Sequence, residues 1–279
     1  EDAAAAEAAK KAFMKARRPK ELKPRGAEND LTGMLQCCVL AVDMRRRSQG
    51  NVLAVVSGRS VADGIDRWQG KVEPGRASAP LVFCCACLPG ADSHHIVADS
   101  AVVTGSRLGY DAVHSFISDL DLQADLPPRE EAEKLYAGLY PMRRLDLARV
   151  LFSLRNQGRG YKISMVRSVW NRANNPVYVW EPEKAPEYIR REGAVSVADV
   201  SPFISEDGRP TVLSERLPDN NGQWTMVCNE RGVAVFVWMG FDDPGTPAAS
   251  SPELKKLMDK AAVYLAREVH AYTRAFLRE

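Results

Sequence analysis

The sequence has no apolar run near the roughly 18 residues that a membrane-spanning helix needs, so a transmembrane chain is not expected. It has no C-x-x-C pair among its six cysteines, and adjacent Cys37 and Cys38 point to opposite faces of any strand, which is poor geometry for one shared metal. Cys84, Cys85 and Cys87 lie in the apolar run Leu81–Leu88, where thiols behave as small hydrophobes. Buried reduced thiols, and with them a reducing compartment, are the expectation; a zinc or disulfide site is the other reading. Histidine is scarce, with four in 279 residues. His94 and His95 sit in a polar turn, His114 on a helix, and His270 near the end of the last helix, where a cation suits the dipole. There is no G-x-x-x-x-G-K-[ST], and Gly158-Arg159-Gly160 lacks the third glycine of a dinucleotide loop. These absences leave no catalytic constellation, so neither enzyme, metal nor cofactor is expected.

The content that remains is ordinary for a globular chain: 45% hydrophobic, 27% charged and a net charge of +2. The first residue is Glu1, which fits removal of a presequence or a partial chain. Residues 1–30 read as a basic arm, with Lys10, Lys11, Lys15, Arg17, Arg18, Lys20, Lys23 and Arg25 interrupted by Pro19 and Pro24. Residues 31–126 read as an α+β unit. Leu35–Val42 and Asn51–Val56 predict a hairpin, Ser60–Trp68 a short helix, Leu81–Leu88 and Ile96–Thr104 two more strands, and Tyr110–Leu120 an amphipathic helix.

Pro127-Pro128 marks the next boundary. Residues 127–251 then predict a short helix at Arg129–Tyr136 and a longer one at Arg143–Gln157 through Leu147, Val150, Leu151 and Leu154. Strands are predicted at Tyr161–Val169, Val177–Trp180, Ala194–Val200, Trp224–Cys228 and Val233–Met239, the last two as a hairpin across Asn229–Gly232. Residues 252–279 form one long helix with the stripe Leu254, Leu257, Met258, Ala261, Leu265, Val269, Tyr272 and Phe276, a core-packing pattern. The fold class is α+β, with mixed or antiparallel sheets, several helices and a long C-terminal helix.

Positive charge concentrates between Met142 and Trp180. Arg143, Arg144, Arg149, Arg155, Arg159, Lys162, Arg167 and Arg172 face the single early acid Asp146, and Tyr161, Trp170 and Tyr178 lie between them. Guanidinium forks fit phosphate and stack on bases, so an RNA surface formed by these cations and Trp170 is the functional reading. A solvated helix face is the bland one.

The run Leu147-Ala-Arg-Val-Leu-Phe-Ser-Leu154-Arg-Asn-Gln-Gly158-Arg-Gly160, then Arg167-Ser-Val-Trp170, then Asn175-Pro-Val-Tyr178, resembles the mitochondrial small-subunit ribosomal protein family numbered thirty-four. The resemblance is confined to about residues 142–180 and loosely reaches 240. It implies a non-catalytic structural component of the mitochondrial ribosome in the matrix, held in a large hetero-complex by ribosomal RNA and neighbouring ribosomal proteins. Arg159, Lys162, Arg167 and Trp170 would then lie at the RNA. The alternative is an accessory, non-catalytic subunit of a respiratory or ATP-synthase complex.

Overall fold

A computed structural model describes residues 7–8, 11, 35–45, 51–60, 64–86, 100–155, 159–161, 163, 168–171, 173, 176–179, 184–187, 211–217, 222–228, 232–241 and 252–277. The α+β class holds. One antiparallel sheet is assembled from β1 (Gln36–Asp43), β2 (Asn51–Val56), β9 (Thr211–Arg216), β10 (Gly222–Cys228) and β11 (Val233–Gly240), in the order β2-β1-β11-β10-β9. Among the described residues it is accompanied by α1 (Ala79–Ala86), α2 (Ala101–Leu108), α3 (Tyr110–Ser118), α4 (Ala132–Ala137), α5 (Arg144–Arg155) and α6 (Pro252–Phe276), with short 3-10 turns at Gly75–Ser78 and Arg129–Glu131. Three two-stranded pairs complete the described elements: β3 (Lys71–Val72) with β4 (Met142–Arg143), β5 (Arg159–Tyr161) with β8 (Lys184–Glu187), and β6 (Ser168–Trp170) with β7 (Pro176–Val179).

The sheet has apolar residues on both faces, and strand alternation sorts them into two cores. Cys38, Leu40 and Val42 of β1, Trp224 and Met226 of β10, and Phe236 and Trp238 of β11 face one core, with α1, α3, α4 and α5. Val39, Ala41, Val235, Val237 and Met239 face the other, against Met258, Ala261, Ala262, Leu265, Ala266 and Val269 of α6. The sheet is therefore a middle layer, and each fully buried large side chain contributes roughly 2–3 kcal/mol of burial. Trp224 stacks on Phe236 at 6.2 Å, and Trp68 tilts against the same ring at 5.9 Å.

Most of the sequence-predicted elements are in place: the β1–β2 hairpin, α3 with Val113, Phe116, Ile117 and Leu120 buried, the β10–β11 hairpin, and α6 packed by its stripe, from which only Tyr272 is exposed among the described side chains. Four expectations are corrected. Leu81–Leu88 is not a strand; its described part is α1, fully enclosed, where an all-apolar stretch carries no period to tell helix from strand. Ile96–Thr104 is not a strand either. Ser100 caps α2 by accepting from the Val103 amide, and the helix runs on to Leu108, while 96–99 lie outside the described residues. The described part of Ser60–Trp68 is a turn, not a helix. Gly64 at φ 71° donates to the Ser60 carbonyl, and the backbones of Arg59 and Asp66 form an isolated antiparallel β-bridge. Tyr161–Val169 is not one strand, since β5 ends at Tyr161, Ile163 belongs to neither, and β6 begins at Ser168. The strand expected at Ala194–Val200 lies outside the described residues.

Candidate functional site

The chain enters α1 through a tight turn, Gly75–Ser78. Gly75 donates to the Gly138 carbonyl at 2.9 Å, and Gly138 adopts φ 73°, where a side chain would collide with the Gly75 carbonyl and Ser78 Oγ. Ser78 is 2% exposed and donates its hydroxyl to the Gly75 carbonyl at 2.8 Å. Tyr140 lies beside it, with an Oη that makes no well-formed hydrogen bond. Burial pushes the Tyr140 phenol well above its ordinary range, and the Ser78 hydroxyl opposes this only in part. A phenol that stays protonated takes no proton from Ser78, so this serine is a structural clasp at the head of α1.

A second group sits where β4 leads into α5. Asp146 is completely buried. Its Oδ2 accepts from Arg143 Nε at 2.6 Å and from the Gln123 amide at 3.1 Å, and its Oδ1 accepts from Arg149 at 2.9 Å. Arg143 also reaches Gln69, and Arg149 reaches the Asp121 carbonyl. Arg144 turns inward: it is buried, donates to the Arg67 carbonyl at 2.9 Å, and lies 3.9 Å from the Trp238 ring centroid. Gly70 makes room for it, since a Cβ there would collide with the Arg144 guanidinium. Cys38, under the same arginines, has its thiol pushed up to about 12 by burial, so it is inert.

Three of the sequence-predicted RNA contacts, Arg143, Arg144 and Arg149, are thus engaged by Asp146, Gln69, backbone carbonyls and Trp238. Arg155 closes α5, Arg159 opens β5 and Trp170 ends β6. Lys162, Arg167 and Arg172 lie outside the described residues. The signal for the Asp146 cluster is present in the sequence: one acid with arginines three residues to either side is a helical-face ion triad. No sequence signal marks Trp238 or the inward turn of Arg144.

The described cysteines Cys37, Cys38, Cys84, Cys85 and Cys228 are buried thiols, and no His, Cys, Asp and Glu cluster among the described residues could hold a metal. His94 and His95 lie outside the described residues. His270 is not the helix-end cation expected from its position. It is 4% exposed, and burial, then Arg274, lower it to about 4.

A third polar group lies at the far edge of the sheet. Ser214 and Thr225 share a hydrogen bond of 2.8 Å across β9 and β10, Gln223 donates to both, and Arg216 binds Asp259 of α6. Strand β9 has a described partner on one side only, β10, and its Ser214 and Arg216 are exposed.

No family model and no curated protein matches the sequence. Solved structures do match. Penicillin-binding protein PonA1 from Mycobacterium tuberculosis superposes with a TM-score of 0.60 at 15% identity, covering 95% of this chain and 83% of that one. The imipenem acyl-enzyme of penicillin-binding protein A from the same organism gives 0.60 at 12% identity, covering 95% and 78%. The TP domain of penicillin-binding protein 3 from Burkholderia pseudomallei gives 0.58 at 12% identity, covering 97% and 95%. The fold is that of penicillin-binding transpeptidase domains.

This fold overturns the resemblance to the ribosomal family, and with it the ribosomal RNA and ribosomal-protein partners, the mitochondrial matrix, and both structural-subunit readings. The expectation that the chain is not an enzyme is corrected as well, because the fold it shares is that of penicillin-binding proteins, one of them solved as an imipenem acyl-enzyme complex. The physical cause of the error is plain. A leucine-periodic helix followed by a glycine turn is a common unit, and in this fold α5 buries Leu147, Val150 and Leu151 in the core while its first arginines are fastened inward or to Asp146.

Serine acyl transfer in such proteins uses S-x-x-K with S-D-N and K-T-G. This sequence contains no S-x-x-K, no S-x-N of any kind and no K-T-G. Ser78 and Ser100, the serines at the heads of α1 and α2, have Leu81 and Val103 where a lysine would stand.

Proposed function

We propose that this chain is a transpeptidase-like domain acting in bacterial cell-wall assembly, and that it contributes recognition of an extended cell-wall peptide. The observation that carries the reading is the likeness of nearly the whole chain to penicillin-binding transpeptidase domains. The position of β9 supports it: among the described residues it has a strand partner on one side only, and an edge strand offers a row of backbone donors and acceptors to an extended peptide. Acyl transfer by a serine–lysine pair is not part of the proposal, because the sequence contains no such pair at the required spacing.

The test uses the full chain with peptidoglycan-derived peptides and a fluorescent penicillin. Saturable, reversible peptide binding that perturbs the amides of β9 is expected, with no penicillin adduct by intact mass. An adduct on any serine would show that the acyl chemistry survives by another arrangement. Absence of binding to peptide and to isolated cell wall alike would defeat the reading.

A further inference from the structure

Helix α6 has a second face that the packing does not use. Its apolar stripe, Met258, Ala261, Leu265 and Val269, is sealed against the sheet. On the opposite side Lys256, Lys260, Arg267 and Arg274 are all exposed. At 3.6 residues per turn these four fall within about 40° of one another and stretch over about 27 Å of helix. Among the described residues none of the four forms an ion pair. The helix's own acids do little to neutralise them. Asp259 is engaged by Arg216 of β9, Glu253 stands in the first turn beyond the end of the ridge, and Glu268 is turned to its side by about a quarter turn or more.

We propose that this ridge docks the domain on a membrane surface rich in anionic lipid headgroups, an inference that goes beyond the peptide-recognition reading and does not depend on it. Four like charges aligned on a rigid helix repel one another mildly, and a negative counter-surface turns that repulsion into net attraction. The choice of surface follows from shape. The ridge is the outside of the outer layer, and Val263, the apolar side chain that falls between Lys260 and Arg267, is half-buried, so the ridge suits a flat charged plane touched from above. A single-stranded polyanion is instead gripped in a basic groove with aromatic platforms, and the aromatic at the flank of this ridge, Tyr264, is half-buried. Attachment is peripheral and is screened by salt within a Debye length.

Co-sedimentation of the full chain with vesicles rich in phosphatidylglycerol, against pure phosphatidylcholine, tests this. Binding to the anionic vesicles alone, lost at high salt, is expected. Replacing Lys256, Lys260, Arg267 and Arg274 together by Gln should lower the partition coefficient by about fivefold per cation, several hundredfold in all, with an unchanged circular-dichroism spectrum. A second variant, with the basic residues between Lys10 and Arg25 replaced by Gln, separates the N-terminal charges from the ridge. It should keep a salt-sensitive affinity for the same vesicles. The proposal is overturned if the wild type ignores anionic vesicles, if the helix variant binds like the wild type, if the N-terminal variant alone abolishes binding, or if a single-stranded RNA of similar charge competes all vesicle binding away at low salt.

Discussion

The Arg144 guanidinium stacks over Trp238 at 3.9 Å, and this contact joins the first turn of α5 to the central strand of the sheet. Both residues are buried, so the attraction of the cation for the ring is not diluted by water. Arg144 also holds the Arg67 carbonyl, which ties the turn before β3 to the same point. Arg144→Ala should therefore cost about 2–4 kcal/mol in urea denaturation. Trp238→Leu should cost a similar amount, roughly 3 kcal/mol. The double variant should fall short of the sum by about 1–2 kcal/mol, the signature of a shared contact. Strict additivity would show that the two side chains are neighbours without being coupled. Arg144→Lys should not rescue, because an ammonium lacks the planar fork that stacks on the ring while donating sideways.

Asp146 lies fully buried between Arg143 and Arg149 and also accepts from the Gln123 amide. Asp146→Asn removes one charge from a buried network and leaves two guanidiniums competing for a neutral acceptor. Loss of about 3–5 kcal/mol is expected, the usual cost when a buried ion network loses a partner. The change should be read by thermal unfolding. Hydrogen exchange should rise first at Gln123 and along β4, whose contacts converge there. A variant as stable as the wild type would mean that the arginines hold their places through Gln69 and Asp121 alone.

Two glycines separate strain from collision. Gly109 sits at φ 86° with open space where a side chain would begin, whereas Gly138 sits at φ 73° with the Gly75 carbonyl and Ser78 Oγ in the place a Cβ would need. Gly109→Ala should lose only what its backbone costs, about 1–3 kcal/mol, since φ 86° with ψ 155° is a conformation that glycine alone adopts freely. Gly138→Ala adds a clash with backbone that cannot rotate away and should lose at least about 2 kcal/mol more. Equal losses in denaturant midpoint would refute the close approach of the two loops at the head of α1.

What the sequence made legible follows from which residues alternate. β1 and β11 are apolar over most of their length, β10 alternates Trp224 and Met226 with Gln223 and Thr225, and α3 and α6 carry unmistakable helical stripes. The stretch from Leu81 onward carried no period, because α1 is enclosed on all sides. Its one usable clue was Pro80, which suits the first turn of a helix and is foreign to a central strand. The site was harder to read. A basic residue in a basic run is indistinguishable in sequence from its neighbours, so nothing marked Arg144 as the one that turns inward beneath Trp238. The fold relationship itself escaped because the residues that advertise it, a serine and lysine three apart with their companion motifs, are absent from the chain.

His270 sets the response to acid. It packs on α6 against the start of β11, where Val233 lies opposite Asp43 in the neighbouring strand, and Asp43 is itself clasped by Arg45. Burial and the Arg274 charge lower His270 to about 4, while the backbone of Val233 pulls weakly the other way. In the unfolded chain the imidazole titrates near 6.5. Between these values the unfolded state binds more protons than the folded one, so stability rises with pH across the window. Above about pH 6.5 the imidazole is neutral in both states and contributes no penalty. As pH falls through 6.5 towards 4 the penalty grows, and below 4 it is complete at roughly 3 kcal/mol. His270→Leu removes the titrating group and fills its place with apolar volume. Between about pH 7 and pH 4.5 the wild type should lose about 2–3 kcal/mol more than this variant in denaturant unfolding. Parallel pH profiles for the two proteins would place the acid sensitivity elsewhere than His270.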